Sequence, residues 1–200
     1  WAMQWVPEDE VVTWLNAVKA KVSEYNMSLI VEVANEVFTP GVGPWSFWKG
    51  TVDELSLLSN YVLNWRNAYA PEVKVWSPSI PGFWSNQPGQ DNIYAFMNWL
   101  RNYPRRNEFD AFSLHLYFLT ADNLWKPSSN ETNWTGFIEY KDALRAMGIN
   151  KPIVDGEKWF GPGVVVPGTM YNYGVKSLTQ GISQTCYFFL WSQGNDETNL

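Results

Sequence analysis

Five short apolar runs, each preceded by a stretch of helical periodicity, constrain this chain more than any other feature. Strand-like runs lie at about residues 29–35, Pro71–Trp76, Asp110–Tyr117, Pro152–Glu157 and Gln184–Trp191. Before them come helical patterns: Val11, Leu15, Val18 and Val22; Leu58, Val62 and Trp65; Ile93, Phe96 or Met97, and Leu100; Phe137, Tyr140, Leu144 and Met147; and a weaker one at about 169–181. Alternation of this kind predicts a parallel α/β architecture, a barrel or an open sheet. The helix boundaries are written in the sequence as well. Pro7 and the acids Glu8, Asp9 and Glu10 open the first helix, and Thr51 with Glu54 forms a capping box for the second. Asp91 caps the third, Arg101 sits near its C-terminal end, and Gly148 stops the fourth.

Loop lengths give the architecture a direction. Helix-to-strand connections are short, as in Gly148–Lys151. Strand-to-helix connections are long and aromatic: residues 38–50, 79–90, 118–134 and 158–168 contain Trp45, Trp48, Trp84, Trp125, Trp134 and Trp159. In α/β barrels the loops at the C-terminal ends of the strands build the active site. The chain has 13 tryptophans; some must be core, but flat aromatic faces also stack on the apolar faces of sugar rings.

Composition removes several classes. A length of 200 residues suffices for one domain, residues 1–200, with a real core. A net charge of −6 argues against nucleic acid, and no apolar run is long enough for a membrane span. One histidine and one cysteine make a metal site implausible and an internal disulfide impossible, and Cys186 reads as a small buried apolar residue. No cofactor is implied. The chain starts at Trp1 without initiator methionine or signal peptide, which reads as a processed form or a piece of a longer protein.

Side chains alternate between the faces of a strand. That places Glu32, Ala34 and Glu36 on one face of the first strand, Ser113, His115 and Tyr117 on one face of the third, and Ile153, Asp155 and Glu157 on one face of the fourth. Tyr187, Phe189 and Trp191 share a face of the last. In a barrel the polar face lines the lumen, and Glu36, Tyr117, Glu157 and Trp191 would meet at the C-terminal rim. Two carboxylates meeting there suit glycosidic cleavage, one protonating the leaving oxygen and the other attacking the sugar. Glu32 and Asp155, deeper on their strands, read as structural acids that need buried partners.

Several of these segments, taken in order, resemble the glycoside hydrolases of clan A: Asn35-Glu36 after a strand, His115-Leu-Tyr117, Glu157 after Lys151-Pro152, and Trp191 on the last strand. The runs Val31–Glu36, Phe47–Thr51 and Val75–Pro78 look most like family 39-type members, with family 5 next. The resemblance implies a (β/α)8 TIM-barrel type fold, here incomplete with about five βα units corresponding to strands four to eight. It implies Glu36 as acid/base and Glu157 as nucleophile of a retaining double displacement, with carboxyls about 5–5.5 Å apart. Asn35 would bind the sugar 2-hydroxyl, Tyr117 would hold the nucleophile, His115 would orient groups near both glutamates, and Trp191 and Trp159 would contact substrate. The substrate would be an oligo- or polysaccharide with β-linkages, and the enzyme secreted or extracellular. A catalytically silent carbohydrate-binding protein on the same scaffold is the alternative. A metal-dependent isomerase would want more histidine and acid ligands. An aldolase would want a lumen lysine, for which Lys74 and Lys158 are poorly placed.

Overall fold

The computed structural model describes residues 6–38, 48, 50–80, 92–116, 127–158, 175 and 177–187, with backbone alone at 92–93, 127–136, 157–158 and 187. Its elements run α1 (Glu8–Glu24), β1 (Ile30–Glu32), α2 (Val52–Tyr69), β2 (Lys74–Trp76), α3 (Asn92–Asn102), a 3-10 turn (Arg106–Glu108), β3 (Phe112–Leu114), α4 (Pro127–Ala146), β4 (Ile153–Lys158) and β5 (Ile182–Tyr187). A helical turn at 177–180 precedes β5. Each of the five strands therefore follows helix, as the alternation requires. The chain divides into two compact units, one of residues 1–80 and 91–113, the other of residues 81–90 and 114–200.

In the first unit β1 and β2 pair in parallel, Ile30 with Lys74 and Glu32 with Trp76, and Trp76 bridges in parallel to Ala111. Val33, Val75 and Trp76 are buried, as are Leu55, Val62, Leu63 and Trp65 of α2 and Phe96, Met97, Trp99 and Leu100 of α3. Leu58, placed on the apolar stripe by its spacing, is only half-buried, and Leu55 and Leu63 take its role. Two indoles anchor helices to one another as hydrogen-bond donors, Trp65 to Asn16 Oδ1 of α1 at 2.9 Å and Trp99 to Ser56 Oγ of α2 at 2.9 Å. The ring series Phe96, Trp99, Tyr103, Phe109 and Phe112 continues the core, with centroids 5.0–6.0 Å apart, a range in which tilted and offset aromatic pairs attract. The capping box of α2 is present: Thr51 Oγ1 accepts from the Glu54 N–H at 3.2 Å, and the Glu54 carboxylate accepts from the Thr51 N–H.

In the second unit β4 and β5 pair in parallel from Ile153–Ile182 to Lys158–Tyr187. Phe137, Tyr140 and Leu144 of α4 are buried. Helix α4 begins at Pro127, so residues 127–134, read from sequence as the end of a long loop, are helical. It stops as expected at Gly148, whose φ of +75° suits glycine. The Gly148 N–H donates to Arg145 O at 2.9 Å and the Ile149 N–H to Leu144 O at 3.0 Å, the paired bonds of a Schellman cap. Cys186 is half-buried, more accessible than its small apolar character suggested.

Candidate active site

Strand β1 ends at Glu32, four residues short of Glu36. The expected alternation through Glu32, Ala34 and Glu36 therefore fails, and a turn places Glu36 instead. Glu36 has φ +48° and Phe38 φ +59°, both in the left-handed region that non-glycine residues seldom enter. Such residues cost on the order of 1–3 kcal/mol each and persist where their surroundings over-determine them. Here the surroundings are Val37, fully buried between the two, and Ser79, fully buried beyond the end of β2.

Ser79 makes four bonds to this turn. Its N–H donates to Ala34 O at 2.9 Å and its hydroxyl to the same oxygen at 3.3 Å. Its Oγ accepts from the Glu36 N–H at 3.0 Å, and its carbonyl accepts from the Val37 N–H at 2.9 Å. Two residues earlier Ser77 does the same for the next strand: its N–H donates to Ala111 O at 2.9 Å and its Oγ accepts from the Ser113 N–H at 3.0 Å. The C-terminal ends of β1, β2 and the start of β3 are thus tied by two buried serines, Ser79 toward β1 and Ser77 toward β3. Sequence reading did not single them out, although the spacing of Ser77 and Ser79, two apart after an apolar strand, is a visible signal.

Glu36 is 7% exposed and Asn35 is exposed beside it. His115 is 1% exposed, within the run Ala111–Leu116 in which every residue is buried. Glu32 and Asp155 have the structural character expected of them. Ser113 Oγ donates to a Glu32 carboxylate oxygen, and the fully buried Asp155 accepts from the Leu116 N–H at 3.0 Å.

Glu157 lies in β4. The register moves from Asp155–Thr185 to Lys158–Tyr187, three steps on β4 against two on β5. An extra residue at Gly156–Glu157 is the mark of a bulge, which interrupts strict alternation and re-aims the side chains beyond it. Asp155 and Glu157 are accordingly not placed on one face by a regular pleat. The side chain of Glu157, together with Tyr117, Trp159 and Trp191, lies outside the described residues. Of the loop tryptophans, Trp48 is described, and it is core: it is 9% exposed, and a Cβ added at Gly50 would fall 2.5 Å from its ring. Among the described residues no group of three or more His, Cys, Asp or Glu could hold a metal ion, and no helix is long and apolar enough to cross a membrane.

Neither the family models nor the curated proteins contain a match to this sequence. Solved structures do match by shape. A family 44 endoglucanase from Clostridium thermocellum superposes with a TM-score of 0.58 at 12% identity, over 84% of this chain and 45% of its own. A glycoside hydrolase family 44 endoglucanase produced by Clostridium acetobutylium gives 0.60 at 14%, over 86% and 45%. XacCel5A in complex with cellopentaose gives 0.52 at 14%, over 96% and 73%. The chain has the α/β fold of these glycoside hydrolases. It spans less than half the length of the two family 44 enzymes.

Proposed function

We propose that residues 1–200 form one catalytic domain, the part of a retaining β-glycosidase that carries both catalytic carboxylates. The observation that carries this reading is Glu36: a buried carboxylate on a left-handed turn, held at the C-terminal end of a parallel strand, in a fold shared with glycoside hydrolases. Carboxylates at that end of the strands are where α/β barrel chemistry takes place. The five strands, each after helix, support the reading of five βα units, and the order of the sequence motifs supports strands four to eight of a (β/α)8 barrel. The runs Val31–Glu36, Phe47–Thr51 and Val75–Pro78 favour a family 39-like pattern, with family 5 next.

In this mechanism Glu36 starts protonated and delivers its proton to the leaving glycosidic oxygen while a Glu157 oxygen attacks the anomeric carbon. The C–O bond to the leaving group breaks, and a glycosyl ester forms on Glu157. Glu36, now ionised, takes a proton from water, which attacks the ester and restores both groups with retained configuration. Asn35 holds the sugar 2-hydroxyl, Tyr117 and His115 orient the carboxylates, and Trp159 and Trp191 face the sugar. The substrate is a β-glycan or its oligosaccharides, a class consistent with the endoglucanases and the cellopentaose complex among the similar structures. Action on such a polymer fits a secreted enzyme.

Intact-mass spectrometry after incubation with activated 2-fluoro β-glycosides tests the reading. One sugar adduct that maps to Glu157 is the expected result. A folded chain that binds oligosaccharide and takes up no adduct would instead be a carbohydrate-binding protein on the same scaffold.

A further inference from the structure

We infer that Ser79 is a positioning residue for Glu36, its hydroxyl setting the direction from which the general acid meets the leaving oxygen. The inference rests on the glycosidase reading for its purpose and on geometry for its substance. Glu36 leaves the chain from a left-handed backbone, φ +48°, so the direction of its side chain is fixed by how that turn is held. The Ser79 hydroxyl touches both ends of the turn at once, accepting from the Glu36 N–H at 3.0 Å and donating to Ala34 O at 3.3 Å. Being fully buried, it has no competition from solvent. The backbone bonds from Ser79 N to Ala34 O and from Val37 N to Ser79 O survive loss of the hydroxyl. Removing Oγ therefore leaves the strand ends paired and frees one peptide plane, the one that carries Glu36.

Ser77 supplies a matched control. It is equally buried, lies two residues away, and accepts a buried N–H in the same manner, but from Ser113. A serine that merely stabilises the fold would be indistinguishable from it. A serine that positions the acid would show itself in leaving-group dependence, because an activated aryl glycoside departs without protonation and a natural glycan does not.

The test compares S79A, S77A and S79T in the 200-residue chain by two readouts: amide hydrogen exchange at Glu36, and turnover of an unactivated β-glycan against a dinitrophenyl glycoside. In S79A, protection of the Glu36 amide is lost while that of Val37 persists. Turnover of the glycan falls by roughly 10–100-fold, the scale of a misplaced catalytic group, while the first step on the dinitrophenyl substrate, read as the initial burst of dinitrophenolate, changes little. S79T, which keeps the hydroxyl, regains most of the glycan activity, and S77A lowers both substrates together or neither. Unchanged Glu36 protection in S79A, or a dinitrophenolate burst slowed as much as glycan turnover, overturns the positioning role. If Glu36 protection is lost as expected but the wild-type chain turns over neither substrate, the glycosidase reading falls and takes the catalytic purpose of the contact with it, while the contact itself stands.

Discussion

The two ends of the same strands in the first unit are held by different chemistry. At the N-terminal ends the ties are ionic. The Asp110 carboxylate accepts from the Val75 N–H at 2.8 Å and from Arg66 at 3.2 Å, with Lys74 at 3.9 Å. Nearby, Arg105 grips Glu108 with two bonds, at 2.7 and 2.8 Å, and Arg66 reaches the Glu108 carbonyl at 3.1 Å. At the C-terminal ends the ties are the hydroxyls of Ser77 and Ser79, neutral and fully buried. Charged ties suit a partly solvated base, where hydration limits the cost of ionisation. A hydroxyl bound to backbone fixes the position of Glu36 without adding a charge at that contact. The base is held by ion pairs, the C-terminal ends by hydroxyls bound to backbone and by the contact of Ser113 with Glu32.

Two substitutions of opposite kind would break that contrast if it is wrong. Glu36→Gln keeps the shape of the side chain and removes the proton, so activity on unactivated glycans should fall by about 10²–10⁴-fold, with the first step on activated aryl glycosides spared more than their turnover and the urea midpoint nearly unchanged. Asp110→Ala should do the reverse. It deletes an acceptor for the Val75 N–H and for Arg66, and losing hydrogen bonds of this charged kind costs about 1.5–3 kcal/mol. Turnover per folded molecule, counted by covalent labelling, should hold at the wild-type level. An Asp110→Ala chain of normal stability and low turnover would place chemistry at the base.

A different contrast governs what could be read from sequence. The helices were legible: the short helix-to-strand connections and the apolar stripes rest on local periodicity, and α1, the capping box of α2 and the Gly148 stop lie where the residues put them. The geometry beyond the strand ends was not legible. Alternation along a strand assumes regular pairing, and β1 ends at Glu32 while β4 carries an irregularity between Asp155 and Lys158. Each carboxylate lies just where pairing breaks, so its placement depends on tertiary contacts that a periodicity cannot contain. The bond from Ser79 to Glu36 spans 43 residues. Among the loop tryptophans Trp48 proves to be core, whereas Trp65 is buried as its place on the helical stripe required, since only within a regular element does spacing mark which surface an aromatic residue will cover.

Two smaller effects concern stability at the two ends, the cap of α2 toward the C-terminal end of β1, which that helix follows, and Glu108 at the base. Thr51→Ala removes the cap acceptor for the Glu54 N–H and leaves α2 to begin unassisted. Replacing such a cap typically costs about 1 kcal/mol, to be read as a fall in urea midpoint at constant slope. Because α2 supplies Trp65 and Leu63 to the core, the loss should appear in global unfolding rather than as local fraying of the helix.

The last effect is the smallest and depends on pH. The two-pronged contact with Arg105 holds the Glu108 carboxyl below its ordinary value of 4.5, against an opposing effect of burial and with a lesser contribution from Asn67. A carboxyl lowered in the folded state contributes its full stabilisation above the unfolded value, where it is ionised in both states. That contribution disappears as pH falls from about 4.5 through the lower folded value, because the unfolded chain takes up the proton first. The pair is partly exposed, which limits its worth to about 0–1 kcal/mol. Glu108→Gln should therefore lower stability slightly at neutral pH and flatten its decline below pH 4.5, the two curves converging in acid. Curves that stay parallel through that range would mean that the Arg105 contact does not discriminate between the charged and neutral carboxyl, and the ionic character assigned to the base would then rest on Asp110 alone.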